Sequence, residues 1–178
     1  MNFENDSDVK IAGDRPSRDI NRNIGTSDEK TVSKEQREAA KKIGAAVAEQ
    51  FLKDAAQSPE DENTDYNLLL QRRLLLSFSA TAGFEQYIGD DTLVGVAQKS
   101  FLDAVRKGGE DIYKTSSDMG AFSFYYLAFR RGNDIERRMG QTFAMLCSHD
   151  GDPIFQELGE ALYCWFTSVV RKAVNEYM

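Results

Sequence analysis

The chain has one histidine, His149, and that scarcity closes off several chemistries at once. Di-iron bundles built on paired Glu-x-x-His motifs, His-Glu-x-x-His metalloproteases and multi-histidine phosphohydrolases all need more than one imidazole within a chain. Cysteine is nearly as rare. Cys147 and Cys164 are too few for a disulfide framework and are not spaced as the Cys-x-x-Cys pair of a zinc or redox site, so reduced thiols in the cytoplasm are the expectation. Long apolar runs are missing too: the longest uncharged stretches, Leu74 to Phe84 and Met119 to Phe129, have 11 residues each. A bilayer span needs roughly 18 to 20, and the first twenty residues lack the apolar centre of a secretory signal, so neither membrane nor export is expected. No segment alternates polar and apolar residues between hairpin turns, which removes the case for strands.

Basic charge is in short supply as well. Lys and Arg number 22 against 29 Asp and Glu, a formal net charge of -7. An acidic surface repels phosphate backbones, and no basic helix-turn-helix stands at either end, so nucleic-acid binding is disfavoured and a DNA-binding regulator ranks third among the functions considered.

What the chain does have is helical periodicity. The stretch Leu68 to Ile88, LLLQRRLLLSFSATAGFEQYI, is apolar or small on nearly every face after its first turn. A helix of that kind is stable only if other elements cover it all round, so it is read as the central helix, capped by Thr64 or Asp65 and ending near Gly89. Ser33 and Gln36 form a capping-box pattern that opens a first helix over Lys34 to Ala56, with Lys41, Lys42, Glu49, Lys53 and Asp54 on its outer face. Asp90 or Asp91 opens a third helix to about Lys107. Residues 109 to 117 read as a loop with one helical turn around Ile112 and Tyr113. A fourth helix follows Ser116 or Ser117 and stops at Gly132, and a fifth starts at Asn133 or Asp134 and runs to about Ser148. Gly151, Asp152 and Pro153 then give a stop, a cap and a first helical residue, and the sixth helix runs to about Tyr177 with Phe155, Leu158, Leu162, Trp165, Phe166, Val169 and Ala173 inward.

The expected architecture is therefore all-α: a compact orthogonal or antiparallel bundle of about six helices over residues 33–178, a single domain, because the connections are short. Residues 1–32 have few large apolar side chains and no period, and read as a disordered acidic and polar leader. Ile20 and Ile24, one helical turn apart, are the only hint that the leader docks on a partner. Each predicted helix holds one internal glycine, Gly44, Gly83, Gly95, Gly120, Gly140 and Gly159, which implies close crossings if the pattern is not chance.

Candidate chemistry is thin. The run Cys147, Ser148, His149, Asp150, Gly151, Asp152 can be drawn as a metal or nucleophile site, but Cys147 falls on the core stripe, His149 sits where a helix C-terminus favours a cation and Asp152 is an N-cap, and no metal site or cofactor is expected. Glu157 and Glu160 share one face of the sixth helix and could hold Mg²⁺; Glu62 and Asp65 form a weaker pair. The basic pairs Arg130-Arg131 and Arg137-Arg138 flank a short turn and are the anion-binding candidates, against the plainer reading that Arg130 and Arg131 complement a helix C-terminus while Arg137 and Arg138 pair with Asp134 and its neighbours. Arg72 and Arg73 interrupt the apolar central helix and must reach an edge or an acid such as Glu85 or Glu110. Phe122, Tyr125, Tyr126 and Phe129, with Tyr163 and Trp165, form either core or the wall of a pocket or a subunit interface. The function expected from this inventory is a non-catalytic intracellular interaction or regulatory module, with a protein partner or self-association. The alternative is a carboxylate- and Mg²⁺-dependent phosphohydrolase, or a binder of small anionic ligands.

Overall fold

The computed structural model describes residues 32–56, 65–116 and 119–178. The expected leader, apart from Val32, the loop carrying Glu62, and the Ser117 cap all lie outside the described residues. From Val32 onward these residues belong to one compact unit, and they contain helices only. In chain order they are α1 (Lys34–Ala56), α2 (Tyr66–Ile88), α3 (Asp91–Gly108), α4 (Glu110–Ser116), α5 (Met119–Arg130), α6 (Ile135–Leu146) and α7 (Pro153–Tyr177). The count among the described residues is seven, not six, because the turn around Ile112 and Tyr113 is a full short helix. No helix among the described residues is long and apolar enough to cross a membrane.

The helices begin where local chemistry tells them to. The Ser33 amide donates to Gln36 Oε1 at 2.9 Å while the Gln36 amide donates to Ser33 Oγ at 3.1 Å, a reciprocal capping box. Asp65, Asp90 and Asp152 each accept a backbone N–H of the first turn of α2, α3 and α7. Asp134 behaves differently: it precedes α6 in the left-handed region, with φ of 51°, and its side chain caps nothing. The stop of α6 also differs from expectation. Ser148, at φ of 64°, makes the left-handed turn, and the His149 amide closes it by donating to the Ala144 carbonyl at 2.8 Å. Gly151 turns the chain again two residues before α7.

α2 is the hub. It packs against each of the other six helices, and every residue from Leu74 to Ala80 is buried. Burying each large member of that run is worth about 1.5–3 kcal/mol, which is what draws the amphipathic helices onto it. Two of its hydroxyls are satisfied within the helix: Ser79 Oγ donates to the Leu75 carbonyl at 2.7 Å and Thr81 Oγ1 to that of Ser77 at 3.4 Å. Val32, counted with the leader from sequence, is half-buried against this core.

On α7 the buried arc is Gly159, Leu162, Tyr163, Phe166, Thr167, Val170, Ala173 and Val174. Leu158 and Trp165, expected inward, are 36% and 37% exposed. The arc is rotated because Gly159 and Gly83 allow close approach on that side: a Cβ at Gly159 would strike the Phe143 ring, and one at Gly83 the Val170 side chain.

Helix glycines separate into two kinds. A Cβ at Gly140 would land on the Gln156 carbonyl of α7, and one at Gly44 on the Ala97 carbonyl of α3, so at both crossings backbone meets backbone. Gly95 has open space around it. Gly140→Ala is therefore expected to cost about 1–3 kcal/mol by overpacking, whereas Gly95→Ala gains about 0.5–1 kcal/mol of helix propensity. Urea unfolding midpoints that move in opposite directions for the two variants check this; a shared direction would refute the crossing argument.

Candidate functional site

Phe78 on α2 is the point around which α5 closes. Phe122, Tyr125 and Phe129 set their rings 5.7, 5.6 and 6.2 Å from it, two of them edge-on. Such pairs add about 0.5–1.5 kcal/mol beyond burial. Beside this cluster α2 carries a run of small residues, Ser79 to Gly83, and next to Thr81 and Ala82 of that run lies a cleft of about 210 Å³. Phe78, Thr81, Ala82 and Glu85 of α2 line one side, and Phe122, Ser123, Tyr126 and Phe129 of α5 the other. Glu85 is the one acidic or basic side chain in its lining, and it is exposed.

The outer face of α5 continues the apolar surface. Phe124, Tyr126 and Leu127 are 49%, 43% and 60% exposed, on a helix of 12 residues whose Tyr125 and Ala128 face the core. Tyr126 is oriented by Arg130, whose Nε donates to its hydroxyl at 3.1 Å and whose guanidinium lies 5.0 Å from the ring centroid.

The arginine candidates meet this cleft only through that one contact. Arg138 donates from Nε to the Asn133 carbonyl at 2.6 Å, and Arg131 and Arg137 are exposed. No ion pair among the described residues includes any of the four, so the expected pairing of Arg137 and Arg138 with Asp134 is not formed. None of the four cavities described, the α2–α5 cleft and three grooves that each include α1, has one of these four arginines in its wall. Glu157 and Glu160 are exposed on α7, and no group of three or more His, Cys, Asp or Glu comes together among the described residues. His149 stacks flat on Phe155, ring centroids 3.7 Å apart, at the α6–α7 turn.

Arg72 finds a partner that local pattern does not reveal. Its Nε and Nη2 donate to Asp54 of α1 at 3.0 and 2.5 Å, a two-pronged pair in which the acid side chain is 9% exposed. Glu85 and Glu110 are not the partners. Asp54, expected on the outer face, is turned inward by this bond. It forms one side of a hollow of about 290 Å³ with Arg72, Leu158, Ala161, Leu162 and Trp165. Arg73 makes no such pair, and its Nε is buried without a hydrogen-bond partner.

Burial, not a charge partner, is the first cause of every upward-shifted buried side chain. It lifts the Tyr125 and Tyr163 phenols far above their usual range and pushes the Cys147 thiol up to about 11, with Asp65 adding to the last. Cys164 is raised by partial burial, then by Glu136 and Glu160. Both cysteines are free thiols. No family model, no curated protein and no solved structure matches the chain.

The Tyr125 hydroxyl is buried without a hydrogen-bond partner. Tyr125→Phe is therefore expected to leave the fold as stable or raise it by up to about 1 kcal/mol in chemical denaturation, since an orphan polar atom leaves the core. A loss of that size would mean the hydroxyl has a partner. Asp54→Ala, in contrast, should cost about 1–2 kcal/mol in the same measurement, a hydrogen-bonded charge pair discounted for Arg72's exposure to solvent.

Proposed function

We propose that the protein is a non-catalytic intracellular interaction module that engages a protein partner through α5, and that it self-associates. The observation that carries the reading is the apolar cleft beside Phe78, bordered on the outside by Phe124, Tyr126 and Leu127. A short helix that leaves three large apolar side chains in water next to a preformed cleft has the layout of a recognition patch: a pocket for one anchor and aromatic surface around it. Glu85 at the rim favours a partner segment that carries a basic residue beside its apolar anchor. An exposed free thiol on Cys164 suits a reducing, cytoplasmic setting.

The alternatives have less behind them. Anion binding at Arg130, Arg131, Arg137 and Arg138 has four guanidinium groups but no cavity among those described, and Mg²⁺ chemistry at Glu157 and Glu160 has two solvated carboxylates.

A photo-reactive amino acid placed at Leu127 in the full chain and irradiated in cells tests the reading. The expected result is a discrete adduct to another protein, lost when Ser123→Trp fills the cleft from its rim and absent when the same probe sits at Leu102 on α3. Equal adducts from both positions would defeat the α5 assignment. Release of phosphate from nucleotides with Mg²⁺, abolished by Glu157→Gln, would replace it with the phosphohydrolase reading.

A further inference from the structure

The side of α7 that the bundle does not cover carries Ile154, Leu158, Ala161 and Trp165, at steps of four, three and four residues. Ile154 is 73% exposed. The spacing is that of the a and d positions of a coiled-coil seam, and Ser168 and Lys172 continue it. Leu158, Ala161, Leu162 and Trp165 also form the α7 wall of the 290 Å³ hollow beside Asp54 and Arg72. Four residues in that arrangement are the hole that receives one knob from a facing helix.

Charge points to the occupant. Glu157 and Glu160 lie in the N-terminal half of α7, Arg171 and Lys172 in the C-terminal half; all four are exposed, and none is in an ion pair among the described residues. With Glu176 counted, the N-terminal half of α7 carries a net charge of -2 and the C-terminal half +1, so a copy laid antiparallel sets unlike charge against unlike.

We propose that the protein self-associates by antiparallel pairing of α7 with α7 of a second copy. The inference rests on the interaction-module reading and gives its self-association a helix and a register. In that register Trp165 of each copy enters the hollow over Ala161 of the other, large against small. Leu158 meets the small, half-buried Ser168, and Ile154 lies along the aliphatic stem of Lys172. Each contact is made twice about a two-fold axis. The same register sets Glu157 of each copy against Arg171 of the other and brings the two Cys164 side chains together at the axis.

Light scattering on the full chain is expected to give twice the 20.0 kDa chain mass. A short bis-maleimide should join Cys164 to Cys164, while buried Cys147 stays unmodified. Trp165, the single tryptophan, should shift its emission to the blue as concentration rises. Ala161→Glu places a charge in the middle of the seam at an exposed position, so the helix content should be unchanged and dimer affinity should fall by more than about tenfold. Glu157→Arg creates two like-charge contacts per dimer and should weaken it about tenfold, and Glu157→Arg combined with Arg171→Glu should restore it. A monomer at every concentration, a dimer indifferent to Ala161→Glu, or a charge swap that fails to restore affinity overturns the proposal. So does loss of the dimer in Ser123→Trp, which would assign self-association to α5. If the dimer fails while Leu127 still crosslinks to another protein, the α7 pairing falls and the interaction-module reading stands.

Discussion

The constraint on which the bundle depends is the need to cover α2 on every side. Seven consecutive residues, Leu74 to Ala80, are buried, so no arc of the helix faces water in its middle turns. A single neighbour covers about a third of a helix surface, which is why α1, α3, α4, α5, α6 and α7 all reach it. Polar residues in and beside this stretch meet the same demand in part: Ser79 and Thr81 turn their hydroxyls back onto the helix backbone, and Arg72 leaves the apolar zone for Asp54 at the edge, while Arg73 Nε stays buried without a partner.

Coverage of α2 also explains the glycines. Close packing on a hub pulls its neighbours together, and where α6 meets α7 the Gly140 backbone rests against the Gln156 carbonyl. α1 and α3 meet in the same way at Gly44. Gly95, on an exposed turn of α3, has no crossing to serve, so the internal glycines are not one device repeated along the chain.

Legibility follows the range of the interaction. The starts of α1 and α7 can be read from residues no more than three apart, the Ser33–Gln36 box and the Asp152-Pro153 start, because the bonds that set them are local. α4 is too short for a period to declare itself. The partner of Arg72 lies 18 residues away on another helix and leaves no local trace. The buried face of α7 escapes the pattern for a related reason: Leu158 and Trp165 fit the same broad apolar arc as Leu162 and Phe166, and only the approach permitted by Gly159 and Gly83 decides which part is buried. For the cleft, the small residues of α2 are visible in the sequence, where they signal room for a neighbouring backbone. Gly83 does admit a close neighbour, the Val170 side chain, while Ala82 beside it opens the cleft instead.

The electrostatics bear on what kind of surface this is. Tuned acid and base pairs arise where burial and a chosen charge act together in a cleft. In this chain the large upward shifts of Tyr125, Tyr163 and Cys147 come first from burial in the core, and the downward shifts of Glu38 and Glu49 come from lysines one turn away on the open face of α1. The α2–α5 cleft contains none of these groups. Its rim instead fixes an aromatic ring in place through Arg130 and leaves Glu85 in water. On the interaction-module reading, a preformed apolar pocket with one charge at its edge would select a partner by fit and by the sign of the neighbouring charge.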